Sequence, residues 1–207
     1  RSLNRLGTDY VDLFQTHIPP QTEEDFKNIE KAFEKIKSEN KAKYCGVSIG
    51  YEYEKGIELI ERGLVDSLQI FFSLLDNKAC VQLFPLAKKF NVGIIAAEPL
   101  AQGFLTGKFS HNTIFPKNDV RSRLGKNDIE NKVKRAKDFQ PLLNEDRTMN
   151  QLALAYILSH EEVSTCIPGV KTVEQLKSNV SSSEIKLTLD ELEKIRDIQS
   201  KWQSSKY

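Results

Sequence analysis

The sequence contains few cysteines and no long apolar segment. Cys45, Cys80 and Cys166 are odd in number and lie in apolar stretches, which indicates reduced core residues and neither a disulfide framework nor a metal site. No apolar run approaches the roughly 18 residues that a membrane helix needs, and no signal-peptide pattern is present. These absences predict a cytoplasmic protein that does not enter a membrane.

The sequence also lacks an excess of charge of either sign. Its 30 Lys and Arg residues against 29 Asp and Glu residues give a net charge of +1, which offers no electrostatic basis for a nucleic-acid or anionic-membrane partner. Hydrophobic residues make up 39% and charged residues 29% of the 207 positions, as is usual for a globular protein with one sizeable core. Repeats, low-complexity tracts and linkers are absent, so we predict one domain over residues 1–207.

The sequence does not begin with an initiator methionine, and its only methionine is Met149. Leu3 and Leu6 followed by Gly7 resemble the last turn of a helix and its C-cap. Because a natural domain seldom begins at the end of a helix, we expect these residues to be part of a longer chain.

Five short apolar segments have the composition of strands, and segments with helical periodicity separate them. The alternation predicts a parallel sheet with right-handed crossovers, either doubly wound or part of a (β/α)8 barrel. A complete barrel takes about 250 residues, so five units fit the last five-eighths of one. We predict an α/β fold, an incomplete (β/α)8 TIM barrel of five parallel strands with outer helices. The predicted strands lie near residues 10–16, 43–48, 67–72, 92–97 and 163–167.

Local signals predict where several helices and one long loop lie. Pro85, inside a predicted helix at 78–90, marks a kink or a helix start. A charged helix is predicted at about 129–143. Residues 109–126 are polar and without a period, which predicts a long loop of the kind that serves as a lid. Predicted helix starts are Thr22 with Asp25, Thr148 with Gln151, Thr172 with Gln175 and Thr188 with Glu191.

A polar or glycine-rich group follows or interrupts each predicted strand. His17 stands after the first strand, Ser48 after the second and Gln69 within the third. The segments 98–108 and 168–179 follow the fourth and fifth. Each group alone has a structural explanation, as a hydrogen-bonded histidine, a strand-capping serine, a buried amide or a solvated lysine. Because the carboxyl ends of parallel strands share one edge, together they predict a ligand site.

The last of these segments has the chemistry of an anion site. A predicted helix N-terminus, Gly169, which allows close backbone approach, and Lys171 suit a phosphate. No G-x-G-x-x-G follows a strand, and no Walker A sequence is present. Tyr51 and Lys55 match the Y-x-x-x-K pair of short-chain dehydrogenases, but the glycine-rich first turn of that family is absent. We interpret these two residues as the surface of a helix start.

Several strings of residues, in this order, resemble the aldo-keto reductase family over essentially the whole chain. The resemblance implies a (β/α)8 barrel that uses NADPH, or less often NADH, to reduce small-molecule aldehydes and ketones. The strings are LGTDYVDLF at 6–14 with HIP at 17–19, GVS at 46–48, Gln69, PL at 99–100 with GFLTGK at 103–108, and IPGVKTVEQL at 167–176 with Asn179.

The resemblance implies a role for each matching residue. His17 would help to place the substrate carbonyl, and Ser48 and Gln69 would hold the nicotinamide carboxamide of NADP(H) or NAD(H). The cofactor-binding candidates after the fourth strand begin with Glu98, and the pyrophosphate path would be lined by Pro99, Leu100, Gln102, Gly103 and Leu105. The adenosine end would be held by Gly169, Lys171, Gln175 and Asn179, with Lys171 the candidate for a 2′-phosphate.

Departures from the family pattern limit the activity that we expect. Of the catalytic tetrad of Asp, Tyr, Lys and His only His17 is matched, so we expect the 207-residue chain alone to be inactive. Ile49 stands where many members carry Asn or Arg, and Ala97 and Glu98 stand where many carry an aromatic residue followed by Ser. The alternatives are a catalytically silent nucleotide-binding or regulatory module, and a truncated remnant. The missing units or another copy of the chain are expected to cover the open edges of the sheet.

Overall fold

The structure, a computed structural model, describes residues 1–145 and 147–204. The strands are β1 Val11–Thr16, β2 Ala42–Gly50, β3 Ser67–Phe71, β4 Gly93–Ala97 and β5 Val163–Cys166. The α-helices are α1 Ser2–Leu6, α2 Glu23–Ser38, α3 Tyr53–Glu61, α4 Ala79–Gln82, α5 Phe84–Lys89, α6 Lys126–Lys137, α7 Met149–Leu158, α8 Val173–Ser181 and α9 Leu189–Ser204. Short 3-10 helices span Ala101–Thr106, Val120–Arg123, Gln140–Leu142 and Ser182–Glu184.

The chain divides into two compact units. The first comprises residues 1–71, 78–97 and 162–165, and the second comprises 72–77, 98–161 and the residues from 166 on. The first unit contains the sheet, and the second is mainly helical. The single domain expected over the whole sequence stays a prediction.

The sheet has the strand order β1-β2-β3-β4-β5, and its strands are parallel. In the register, Val11 pairs with Ala42, Gly46 with Ser67, and Ser67 with Gly93. Each predicted strand agrees with the observed one to within two residues at both ends. Consecutive parallel strands linked by helices, in a sheet that is not closed, confirm the predicted incomplete (β/α)8 barrel.

The central strands bury one face of the sheet completely, whereas the face that carries Ser48 and Gln69 is half-buried. Val47, Leu68 and Ile70 are 0% exposed, whereas the apolar residues of β1 are only half-buried. Close packing of β2 against β3 also requires a glycine. A Cβ on Gly46 would lie 2.3 Å from Ser67 Oγ, so a larger residue would push the two strands apart.

The first long helix, α2, forms where the sequence predicts it. Thr22 Oγ1 accepts the N–H of Asp25 at 3.2 Å, and the Asp25 carboxylate accepts the N–H of Thr22 at 2.9 Å. This reciprocal cap satisfies donors that the first turn leaves unpaired. Phe26 and Phe33 then face the core, with 2% and 3% of their surface exposed. The predicted N-cap at Thr22 is confirmed.

Prolines divide two of the predicted helices. The helix predicted at 78–90 is in fact α4 and α5, and Pro85 lies in the first turn of α5, where its missing N–H is tolerated. The helix predicted at 129–143 is wrong at both ends. It begins at Lys126, since the Asp128 carboxylate accepts the N–H of Gly125 at 3.2 Å, and it ends at Lys137, since Pro141 disfavours a continuous helix before it.

The second unit is organised around α7, which is buried along most of its length. Thr148 donates its N–H to Gln151 Oε1 at 3.0 Å, which confirms the predicted start of this helix. From α9, Gln199 donates to the Leu74 carbonyl oxygen at 3.0 Å and is 3% exposed. A buried amide of this kind fixes the 72–77 segment within the unit. Among the described residues, no helix has the length and apolar character needed to span a membrane.

Candidate functional site

Three neighbouring strands of the first unit carry polar side chains at or near their carboxyl ends. Thr16, the last residue of β1, pairs with Val47, and Ser48 pairs with Gln69. Gln69 Nε2 donates to Ser48 Oγ at 3.3 Å, and both side chains are half-buried. His17 follows directly after Thr16 and is exposed. The predicted histidine, hydroxyl and amide therefore follow one another across β1, β2 and β3.

The residue after Ser48 explains one departure from the family pattern. Ile49 is 1% exposed and packs beneath α3, where a Cβ on Gly56 would lie 2.6 Å from Ile49 Cδ1. An Asn or Arg side chain at this position would lose its solvation without gaining a partner. Ile49 is therefore a core residue and is not available to a ligand.

In the second unit, the segment that begins at Glu98 has an unusual backbone. Glu98, Ala101 and Gln102 have φ values of 50°, 48° and 59°, and Gly103 has φ 93°. The Ala101 N–H bonds to the Glu98 carbonyl oxygen at 2.8 Å, and the Gly103 N–H to that of Leu100 at 2.9 Å. Left-handed backbone at three residues other than glycine is strained, and such strain clusters at functional sites.

This strained segment forms one wall of a cleft of about 750 Å³, here called the first cleft. Its opposite wall is the start of α8, and segment 119–121 completes it. The first cleft brings together most of the cofactor-binding residues that the sequence predicts for this unit. They are Glu98, Pro99, Leu100, Gln102, Gly103, Gly169, Lys171 and Gln175.

Two predicted residues lie elsewhere in the second unit. Leu105 is 0% exposed and is not among the residues lining the first cleft, because its N–H bonds back to the Leu100 carbonyl oxygen and its side chain enters the core. Asn179 is half-buried on α8 and lines an adjoining cleft of about 310 Å³, together with Gly169 and Gln175.

The beginning of α8 is held by two hydrogen bonds between residues close in the sequence. Thr172 Oγ1 accepts the N–H of Gln175 at 3.2 Å, which confirms this predicted N-cap. Gln175 Oε1 accepts the N–H of Lys171 at 2.8 Å. The backbone of Lys171 is therefore fixed, while its ammonium group is exposed and lines the first cleft.

An ion pair that the sequence did not predict forms part of the first cleft. Arg121 Nε and Nη2 donate to the Asp119 carboxylate at 2.8 and 2.6 Å, and Arg121 Nη1 donates to the Gln102 carbonyl oxygen at 3.0 Å. The guanidinium also lies 5.0 Å from the ring of Phe109 and 4.5 Å from that of Phe115. Arg121 therefore fastens the predicted loop at 109–126 to the strained segment. Asp119 is only two residues from Arg121, but the Gln102 carbonyl oxygen is 19 residues away, and no local pattern predicts that contact.

Arg121 keeps the Asp119 carboxylate ionised well below neutral pH. Hydrogen bonds from Arg121 hold the pKa of Asp119 at about 2, and Lys171 contributes a smaller attraction. The stabilisation that the pair provides is present above the ordinary carboxyl pKa and is lost as the pH falls through about 2.

At neutral pH the first cleft combines the cations Lys108, Arg121 and Lys171 with the carboxylates of Glu98 and Asp119, which is a net positive lining.

Comparison with protein families gives a match over nearly the whole chain. The model of the Aldo/keto reductase family matches residues 1–200. Aldo-keto reductase str7 of Strobilurus tenacellus is 31% identical over 209 residues, covering 95% of this chain and 60% of that protein. The NADH-specific methylglyoxal reductase of Escherichia coli is 28% identical, covering 90% and 58%. Aldo-keto reductase yakc [NADP(+)] of Schizosaccharomyces pombe is 28% identical, covering 95% and 59%. The chain thus spans about three fifths of the length of these relatives.

A solved structure agrees with the sequence matches. The holo form of aldo-keto reductase AKR11C1 from Bacillus halodurans superimposes with a TM-score of 0.74 at 29% identity, covering 95% of this chain and 64% of that one. The predicted resemblance is confirmed by the family match and by this fold.

Proposed function

This chain belongs to the aldo/keto reductase family, and we propose that its first cleft binds the pyrophosphate and adenosine parts of NADP(H) for the reduction of aldehydes or ketones. One observation carries the proposal. The strained segment after β4 and the start of α8 meet in one positively lined cleft, although about 65 residues separate them in the sequence. These are the two segments that the family resemblance assigns to the cofactor.

The pyrophosphate is proposed to lie along residues 98–103. The left-handed backbone turns the chain tightly, so that Glu98, Pro99, Leu100, Gln102 and Gly103 line one wall of the first cleft. Gly103 is required by its φ of 93° and by the Phe109 ring, from which a Cβ would lie 3.2 Å away. Lys108 and Arg121 line the same cleft and supply positive charge for the pyrophosphate. The cofactor would supply the hydride, and the residues of this unit would bind and orient it.

The position of Lys171 favours NADP(H) over NAD(H) as the cofactor. Its ammonium group is exposed beside the first cleft at the adenosine end, where a 2′-phosphate would add negative charge. Gln175 and Asn179 would contact the adenosine. NAD(H) is the alternative cofactor, since one relative is named NADH-specific and another is named for NADP(+).

In the first unit, Ser48 and Gln69 are proposed to bind the nicotinamide carboxamide, because a hydroxyl and an amide already oriented by their mutual hydrogen bond suit that group. His17 is proposed to contact the substrate carbonyl. By the resemblance, no residue of this chain matches the Asp, Tyr or Lys of the family tetrad, so we propose that the family's proton donor does not accompany His17 in this chain. This observation favours a second candidate function, a catalytically silent nucleotide-binding module.

Titration of the purified 207-residue chain with NADPH tests the proposal. We expect saturable binding of one NADPH per chain, competed by NADP+, and no oxidation of NADPH when a reactive aldehyde is added. Binding without turnover supports cofactor binding by this chain and the absence of its proton donor. Turnover would show that another acid replaces the tetrad tyrosine, with Tyr51 and Glu98 the first candidates. Absence of binding would refute the proposal.

We also propose that a further polypeptide covers the open edges of the sheet, either missing barrel units or another copy of the chain. β1 and β5 are edge strands, and Gln15 Oε1 and Thr16 Oγ1 are buried without a hydrogen-bond partner among the described residues. Light scattering of the chain, with its mass verified as 23.6 kDa, should therefore show association. A stable monomer would contradict this proposal. Cys45, Cys80 and Cys166 are reduced, which fits a reducing compartment, and we propose a cytoplasmic location.

A further inference from the structure

The second unit contains another cleft, of about 500 Å³, on the other side of Arg121. We call it the second cleft. It is formed by residues 111–115 and by residues 121–129, and Arg121 is the only residue that it shares with the lining of the first cleft. The family resemblance assigns it no role. Its volume is that of a site for a small organic molecule.

The lining of the second cleft combines positive charge with apolar surface. His111, Arg121 and Lys126 supply the basic groups, and none of the residues described as lining it is Asp or Glu. Phe115, Leu124 and Ile129 supply apolar surface. A ligand that matches both features has an anionic head and an apolar body.

Arg121 and Lys126 can each contact a further anionic group. Three hydrogen bonds occupy Arg121, but a guanidinium has more N–H donors than these three. Lys126 Nζ lies 3.9 Å from Glu130 Oε1, at the outer limit of an ion pair, and its side chain is 80% exposed. This weak surface pair leaves most of the lysine charge available.

We propose that the second cleft binds a small aliphatic or aromatic carboxylate, and that Arg121 couples this site to the first cleft. Binding of the carboxylate is independent of the proposed function, whereas the coupling depends on it. The head group would contact Arg121 and Lys126, and the apolar body would pack on Phe115, Leu124 and Ile129.

The coupling follows from the contacts of Arg121 with Asp119 and Gln102, two residues that line the first cleft. A carboxylate bound by the remaining N–H donors of Arg121 would share the guanidinium charge with Asp119 and weaken that ion pair. Asp119, which lines the first cleft, would then be drawn to Lys171, the cation proposed for the 2′-phosphate. The bond from Arg121 to the Gln102 carbonyl oxygen would weaken as well. Each change opposes dinucleotide binding. The carboxylate should therefore lower the affinity for NADPH, and NADPH should lower the affinity for the carboxylate by the same factor.

The first experiment uses hexanoate, with hexanamide as its neutral counterpart. Titrations of the 15N-labelled chain, followed through the amide shifts of residues 111–129, should show saturable binding of hexanoate and binding of hexanamide weaker by about tenfold or more. Lys126→Gln should weaken hexanoate severalfold, and Lys134→Gln, an exposed lysine on the same helix that does not line the cleft, should not. Equal affinity for the two compounds, or an unaltered affinity in Lys126→Gln, would overturn the site. Inorganic phosphate binding as tightly as hexanoate would overturn the amphipathic ligand.

The second experiment measures NADPH affinity with and without saturating hexanoate. We expect NADPH to bind severalfold more weakly in its presence, and the effect to shrink in Arg121→Lys, since an ammonium cannot bridge Asp119 and Gln102 as a guanidinium does. An unchanged NADPH affinity would refute the coupling. If the chain binds no NADPH, the proposed function and the coupling fail together, and the hexanoate titration still decides whether the second cleft is a site.

Discussion

Replacement of Lys171 by alanine should weaken NADPH binding by about tenfold or more, the usual effect of losing a charge-assisted hydrogen bond to phosphate. NADH binding should change by less than about twofold, because NADH lacks the 2′-phosphate that the ammonium is proposed to contact. The backbone of Lys171 is held by Gln175, so the substitution removes the charge and leaves the start of α8 in place. Fluorescence titrations with both cofactors measure the two affinities.

The matched control is Lys177→Ala, which removes an exposed lysine from α8 that does not line the first cleft. It should leave both affinities unchanged. If Lys171→Ala weakens both cofactors equally, Lys171 does not contact the 2′-phosphate. If Lys177→Ala has the same effect as Lys171→Ala, the contribution is general positive charge and not a specific contact.

Replacement of Arg121 by methionine should have an effect of similar or larger size on NADPH. The variant loses the bonds to Asp119 and to the Gln102 carbonyl oxygen, together with the stacking on Phe109 and Phe115. It also leaves the Asp119 carboxylate without its main partner. This carboxylate lines the cleft in which the cofactor phosphates are proposed to bind, and it would repel them. We expect NADPH affinity to fall by about tenfold to a hundredfold, measured by the same titration.

A double variant separates the two causes. Arg121→Met with Asp119→Asn removes the unpaired carboxylate, so part of the lost affinity should return. Arg123→Met, an exposed arginine in the same 3-10 helix, is the control and should bind NADPH normally. No recovery in the double variant would mean that the lost anchoring of Gln102, and not repulsion by Asp119, accounts for the effect. Wild-type affinity in Arg121→Met would contradict the role given to this ion pair.

Local sequence signals predicted the sheet and the helix starts after Thr22, Thr148 and Thr172 for physical reasons. A strand such as β4 is a continuous apolar run because the sheet is covered there, and a threonine such as Thr22 caps a helix through a residue only three positions away. The family strings predicted which segments after β4 and β5 would line one cleft. Each of these features depends on neighbours in the sequence or on a short motif.

The features that the sequence did not predict depend on distant contacts or on backbone strain. Arg121 pairs with Asp119 two residues away, but its role depends on the Gln102 carbonyl oxygen, 19 residues away, and on the Phe109 and Phe115 rings, which no periodic pattern brings to it. The positive φ of Ala101 and Gln102 is equally hidden, since neither residue type favours it. The burial of Leu105 follows from that turn, and it could not be foreseen from the family string.

The most direct test of the central claim, that the first cleft binds the dinucleotide, is amide hydrogen exchange of the chain with and without NADPH. We expect added protection in residues 98–103 and 167–175, which contain the two main walls of the cleft, and little change in α2, which lies in the first unit. The same protection should weaken in Lys171→Ala at equal NADPH concentration. Saturable NADPH binding with protection confined to other segments would contradict the account.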